Sequence, residues 1–211
     1  MTDNIEVFTQ NSIRINGKEG VIYIDPFQMR ENPNDADYVL ITHDHYDHFS
    51  VEDIEKVVKA DTIFVVPEKM KGKAKEVEHF VKSTFTVKPG EKYDMEGLEF
   101  ETVPAYNKVK PFHSKSAGWV GYILNVNGKR IYIAGDTDAT REAESVKCDI
   151  ALVPIGGTYT MNAKQAAEFV NNISPTVAIP THYGSIVGKK EDADVFAQNV
   201  KPGIDVVIKI E

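Results

Sequence analysis

Short runs of apolar and β-branched residues alternate with polar, turn-forming ones along most of the chain, a pattern that favours strands over helices. Strands are expected over Ile5–Phe8, Ser12–Ile15, Val21–Ile24, Tyr38–Ile41, Thr62–Val66, Thr84–Val87, Leu98–Val103, Trp119–Asn125, Arg130–Ile133, Ile150–Val153, Thr176–Ile179 and Val206–Ile210. Asn16-Gly17 and Asn127-Gly128 signal hairpin turns between their flanking strands. Helical patterns are fewer. Ser50, with Asp53 three residues on, resembles a capping box opening a helix over Val51–Lys59. Asn162 with Gln165 opens another over Ala163–Asn171, whose Ala166, Ala167, Phe169 and Val170 share a face. Lys73–Lys82 and Asp192–Val200 carry weaker helical patterns. A strand meander followed by strand–helix–strand recurs in each half, with no residue identity behind it. Sheets with helices outside them predict a layered α/β sandwich.

Composition narrows the class. At 211 residues the chain fits one domain, spanning 1–211, and 42% apolar residues suffice for a sizeable core. No segment is long and apolar enough to span a bilayer, so no membrane partner is expected. The start, Met1-Thr2-Asp3-Asn4, lacks a basic stretch followed by an apolar one, which makes the cytoplasm the expected location. One cysteine, Cys148, excludes an internal disulfide and a thiolate zinc cluster. A net charge of −8 argues against nucleic acid as a partner and leaves a small molecule as the expected substrate. Homo-oligomerisation is left open.

The candidate chemistry concentrates in His43-Asp44-His45-Tyr46-Asp47-His48, directly after the apolar run ending at Thr42. Imidazole and carboxylate together suit zinc and neighbouring first-row metals. Three histidines and Asp47 cannot all reach one small cation from so short a segment. Split between two adjacent ions they can, His43 and His45 on one, Asp47 and His48 on the other. Further polar residues emerge where other apolar runs end: Asp25 after Val21–Ile24, Asp136 after Arg130–Gly135, and His182 after Val177–Thr181. His79, in a polar run, reads as a surface residue.

His43-x-His45-x-Asp47-His48, Gly135-Asp136-Thr137 and Thr181-His182-Tyr183 together resemble the metallo-β-lactamase fold superfamily. The resemblance runs from Asp25-Pro26-Phe27 through Val153–Gly157 to His182. The short length and the Pro154–Gly157 segment are most similar to its small metal-dependent hydrolases, of the UlaG-like and YtkL-like kind. The resemblance implies a four-layer αββα sandwich of two mixed sheets, with metals in a groove at the sheet edges. It further implies His43 and His45 on a first metal, Asp47, His48 and His182 on a second, and Asp136 bridging both. One departure stands out. Where the family supplies a third first-site histidine after a mid-chain strand, this chain has Asn107, a poorer ligand for such metals. His113, six residues on, either folds back to take that place or acts as a supporting or substrate-contacting residue.

An open site of this kind, holding one or two divalent ions (zinc first, manganese or iron as alternatives), makes hydroxide available near neutral pH. Asp47 is the candidate catalytic residue, accepting a hydrogen bond from the attacking water. The expectation is a metal-dependent hydrolase cleaving an ester, lactone or phosphodiester bond of a small molecule. Asp25 and Asp138 are candidate supports for the ligands. Asp44 is expected to face away. Lys108, Lys110 and Lys115, around Asn107 and His113, would suit an anionic substrate. Tyr46, Tyr106, Tyr159 and Tyr183 are candidate pocket walls. The alternatives are a metal-dependent nuclease, a redox di-iron protein, and a non-catalytic metal-binding protein whose first site is weakened by Asn107.

Overall fold

Period-two alternation decides the layers. The computed structural model describes residues 2–210 and forms two mixed sheets from thirteen strands. The first sheet contains β1 (Ile5–Val7), β2 (Ile13–Gly17), β3 (Gly20–Ile24), β4 (Ala36–Leu40), β5 (Val58–Pro67) and β6 (Ser83–Val87), in that order. Its first three strands form an antiparallel meander and the rest join in parallel. The second contains β7 (Lys92–Met95), β8 (Leu98–Pro104), β9 (Val120–Val126), β10 (Lys129–Ile133), β11 (Ile150–Pro154), β12 (Val177–Thr181) and β13 (Asp205–Val206). It too begins as a meander, through β10, and continues in parallel. The coarse repeat in the sequence is therefore a repeat of topology.

Ile22 and Ile24 of β3 face Ile131, Ile133 and Leu152 of the other sheet across the central core, while Tyr23 between them faces outward. Tyr132, Ala151 and Val153 likewise face out of the second sheet. Each outer face needs a cover, because a half-apolar sheet cannot be left against water. Over the first sheet lie α1 (Val51–Val57) and the single turn α2 (Lys71–Ala74), burying Ile54, Val57 and Ala74. Over the second lie α3 (Arg141–Glu144), α4 (Ala163–Ile173) and α5 (Asp192–Asn199), burying Ala166, Ala167, Phe169, Val170 and Phe196. The architecture is the expected αββα sandwich. No helix among the described residues is long and apolar enough to cross a membrane.

The departures from the sequence expectation have local causes. The α1 helix ends at Val57 because Val58 turns extended and pairs with Ala36, opening the long β5. Asn162 and Gln165 do form the reciprocal capping box of α4. Asp53 also receives the Ser50 hydroxyl, but its carboxylate mainly accepts the backbone N–H groups of Gln28 and Met29. Asn127 and Gly128 form the β9–β10 turn, both at positive φ. Asn16 instead stays in register opposite Val21, so the β2–β3 loop is Lys18-Glu19. The edge strand β7 lacked an apolar signal, whereas Val206–Ile210 contributes only Val206 to the two-residue β13. The Lys73–Lys82 pattern yields only the end of α2 and a 3₁₀ turn over Glu78–Phe80.

Cys148 packs against the α4 side of the second sheet, and burial pushes its thiol up to about 12. At pH 8 the thiolate fraction is then on the order of 10⁻⁴. Native protein is expected to react with a thiol-alkylating reagent at least ~100-fold more slowly than protein in denaturant; equal rates would contradict the burial.

Candidate metal centre

Four strands end at one edge of the sandwich, and three of the turns that follow pass through the left-handed region. Asp25 after β3 has φ 45°, Gly135 after β10 has φ 64°, and His182 after β12 has φ 56°. For a residue with a Cβ that conformation costs roughly 1–2 kcal/mol, so Asp25 and His182 must be held by contacts. The Asp25 N–H donates to Leu40 O at 3.1 Å, and the His182 N–H donates to Gln10 O at 2.8 Å. Glycine carries the third turn, where an added Cβ would sit 3.2 Å from Thr42 Cβ and 3.3 Å from the Val120 carbonyl oxygen.

Behind the centre lies a hydrogen-bonded frame around the buried Asp25 carboxylate. It accepts from Asn11 Nδ2 at 2.7 Å, the Thr42 N–H at 2.8 Å, the Thr42 hydroxyl at 2.6 Å and His48 Nδ1 at 2.7 Å. Having spent its proton on Asp25, the Thr42 hydroxyl can only accept from His43 Nδ1, 3.0 Å away. A parallel frame holds His113. Asn107 donates Nδ2 to Tyr159 O at 2.8 Å, so its Oδ1 accepts from His113 Nδ1 at 3.0 Å. The Asn107 N–H also donates to His113 O at 2.8 Å. In each case the proton sits on Nδ1, and the Nε2 lone pair points to the centre.

At the centre the donor atoms converge in overlapping groups: His43, His45 and His113; His43, His48 and Asp136; Asp47, His48 and His182. In each group they lie within 4.8 Å of one another. His43 Nε2 is 3.1 Å from His45 Nδ1, and His48 Nε2 is 3.1 Å from His182 Nε2. The two oxygens of Asp136 divide between the groups. Its Oδ2 is 3.4 Å from His113 Nε2, while Oδ1 lies 3.5 Å from His48 Nε2 and 3.3 Å from His182 Nε2. Asp47 Oδ2 joins the second group, 3.3 Å from His182 Nε2 and 3.6 Å from His48 Nε2. Buried and without a hydrogen-bond partner, His113 Nε2 and Asp136 Oδ1 are unsatisfied donor atoms of the kind a cation would satisfy. The donor set fits divalent metal.

Burial and the three carboxylates set the proton affinities within the cluster. Burial, then the neighbouring His48 charge, pushes His43 well below the usual imidazole range, and burial with the His113 and His48 charges lowers His45. Burial opposes the charge on His48 too, but Asp136, Asp25 and Asp47 outweigh it and raise that imidazole to about 9. Burial also disfavours the Asp136 carboxylate, yet the His182 and His48 charges and the close approach of His113 hold it well below its ordinary value. Asp47 is lowered, against burial, by its hydrogen bond with His182 and the His48 charge.

Residues 4–182 match the family model of the beta-lactamase superfamily domain. The chain belongs to that superfamily. A UPF0173 metal-dependent hydrolase of Methanopyrus kandleri is 32% identical over 207 residues, covering 90% of this chain and 88% of the relative. Among solved structures, a protein of Parabacteroides distasonis described as a candidate metal-dependent hydrolase superposes with a TM-score of 0.78 at 30% identity. That alignment covers 98% of this chain and 93% of the other. Igni18, a metallo hydrolase of Ignicoccus hospitalis, shares the fold with a TM-score of 0.76 at 23% identity, covering 98% and 95% of the two chains. Within the superfamily this chain is a metal-dependent hydrolase.

The remaining candidates divide between centre and scaffold. Asn107 does not face the donor cluster; it supports His113, which packs its ring 5.2 Å from His43 and 5.0 Å from His45. Asp138 accepts from the Lys108 N–H at 2.9 Å and ties the His113 loop to the loop after β10. Lys110 is not a free cation: its ammonium donates to Gly157 O at 3.2 Å, to Thr160 O and to Asp138. Lys115 is paired with Glu142 at 2.5 Å. The expected basic patch is thus largely neutralised. Tyr183 is no pocket wall; its ring lies in the outer core and its hydroxyl donates to Ile210 O. Tyr106 donates to Glu142. Asp44 gives its carbonyl to Lys73, and His79 is exposed. Trp119, read in the sequence only as the start of a strand, packs 4.9 Å from the rings of both His43 and His45 and 5.3 Å from that of His113. Being the sole tryptophan was its one signal, and that signal does not report position.

Gly135→Ala is expected to destabilise the fold by roughly 1–3 kcal/mol through strain and the Thr42 contact, read as a fall in urea midpoint. Asn107→Ala is expected to weaken zinc binding about 10–100-fold by freeing His113. A calorimetric titration of chelator-treated protein checks this, and wild-type affinity would refute the supporting role.

Proposed function

We propose that this chain uses two adjacent divalent ions, zinc first among the candidates, to hydrolyse an ester, lactone or phosphodiester bond of a small molecule. The observation that carries the reading is the division of Asp136: one carboxylate oxygen faces His113 of one group and the other faces His48 and His182 of the second. A carboxylate so shared would hold His43, His45 and His113 to one ion, and Asp47, His48 and His182 to the other. Nitrogen-rich sets with carboxylate suit zinc, and equally admit manganese or iron. When bound, such a pair lowers the pKa of water towards neutrality and polarises the bond under attack.

The chain's own residues do the rest. Asp47 turns Oδ2 to the second group, and among the described residues no hydrogen bond reaches its Oδ1. That oxygen is therefore placed to accept a proton from attacking water and pass it to the leaving group. Asp25, through His48 and Thr42, keeps the imidazoles oriented against the repulsion of their own charges. His45, half-buried, lies where the centre opens to solvent. With His113 beside His43 and His45, a decayed first site loses its motivation.

Elemental analysis of protein purified without chelator is expected to return about two equivalents of metal per chain. Asp136→Ala should remove most of both equivalents and reduce hydrolysis at least ~10³-fold, and His113→Ala should cost about one equivalent. Full metal content and activity in Asp136→Ala would overturn the bridging role.

A further inference from the structure

His113 reaches the donor cluster on a long irregular loop. Between β8 and β9, residues 105–119 contain a single 3₁₀ turn, over Lys115–Ala117, and no other regular element. The Asn107 N–H closes an excursion over residues 108–112 by donating to His113 O at 2.8 Å. An excursion of this kind opens easily unless contacts outside it hold it. Two polar ties leave it. The Lys108 N–H donates to Asp138 Oδ2 at 2.9 Å. The Lys110 ammonium donates to Gly157 O at 3.2 Å, to Asp138 Oδ1 at 3.4 Å and to Thr160 O. A lysine ammonium carries three N–H donors, and here each meets an oxygen.

The three acceptors belong to segments that complete the centre. Asp138 follows Asp136 by two residues, and its N–H donates to Tyr106 O at 3.0 Å. Gly157 and Thr160 flank Tyr159, whose carbonyl orients Asn107 and, through it, His113. The segment holding these carbonyls is itself closed, the Gly157 N–H donating to Met161 O at 3.1 Å just ahead of the α4 capping box. Asn107 and Lys110 therefore grip the same closed segment, one at the foot of the excursion and one within it.

We propose that Lys110 is a positioning residue: its ammonium latches the His113 loop and so sets the affinity of the His43, His45 and His113 group for its ion. This rests on the two-ion reading above and adds to it a residue outside both donor groups. Among the donors, His113 alone lies on this loop. Loosening the loop therefore weakens the first group and spares Asp47, His48 and His182. The ammonium acts as a compact charge with three diverging donors. A guanidinium is planar and presents its donors as a fork, so arginine is not expected to replace it.

The test uses the full-length protein after chelator treatment. Zinc is titrated in by calorimetry, and acrylamide quenching of Trp119 is read with and without zinc. Trp119, the sole tryptophan, packs 5.3 Å from the His113 ring and reports on the loop without any turnover. Lys110→Met, which keeps the apolar stem, should weaken one zinc equivalent about tenfold and leave the other within about twofold. Trp119 should become more accessible to acrylamide in the same variant. Lys110→Arg should behave like Lys110→Met, whereas Lys164→Ala, which removes an exposed ammonium from α4, should match wild type. In Lys110→Ala, n-propylammonium replaces the deleted carbons and the ammonium, and should restore wild-type quenching. Tetramethylammonium, with the charge but no N–H, should not. Wild-type zinc affinities and quenching in Lys110→Met would overturn the latch. Equal weakening of both equivalents would overturn it too, because it marks general loosening of the fold. If wild-type protein takes up only one equivalent, the two-ion reading fails by itself, and the latch then stands or falls on Trp119 quenching in Lys110→Met.

Discussion

Two pairs of imidazole nitrogens face each other at 3.1 Å, His43 with His45 and His48 with His182, and the surrounding structure serves to hold them there. Nitrogens presenting lone pairs to one another repel unless a proton or a cation lies between them, so the arrangement must be enforced from outside. The Asp25 carboxylate is the main enforcer. By accepting from His48 directly and constraining His43 through the Thr42 hydroxyl, it orients two of the five clustered imidazoles from one buried position. Asn107 acts similarly on His113. Unfavourable left-handed turns at Asp25 and His182 are part of the same enforcement, being where strand ends are bent into the centre.

The topology explains why the donors come from both halves of the chain. Each sheet begins as an antiparallel meander and ends with parallel strands. Parallel strands linked by crossovers deliver successive chain segments to the same sheet edge. In the first half that edge presents Asp25 and the His43–His48 cluster; in the second it presents Asp136 and His182. Asp136, with one oxygen towards each donor group, joins His113 to His48 and His182, which lie 65 and 69 residues from it along the chain. The centre therefore depends on the two sheets being packed, and the isoleucine-rich core between them is as much a part of it as the ligands.

The loop carrying His113 departs most from a purely local reading. It places an imidazole where the family pattern had led one to look at Asn107, and it turns Lys110 inward onto two carbonyls and Asp138. A buried or half-buried ammonium seeks such partners because desolvation otherwise penalises it. The same loop exposes Phe112 beside His113, and Lys108 and Val109 nearer its start.

The sequence by itself determined the strands, the αββα layering and the local half of the centre. Period-two alternation is a property of consecutive residues, and His43, His45, Asp47 and His48 are close in space because they are close in the chain. Asp25, Asp136 and His182 were legible for a related reason: each follows an apolar run, and strand ends collect at one edge. Only the tertiary structure decided that His113 joins His43 and His45, that Asn107 orients it, that Trp119 walls the group, and that Lys110 and Tyr183 belong to the scaffold. It also decided the shifted β2–β3 turn and the uncued edge strand β7. These depend on which side chains meet across a loop or between sheets, and hydrogen-bond partners distant in sequence leave no periodic trace in it.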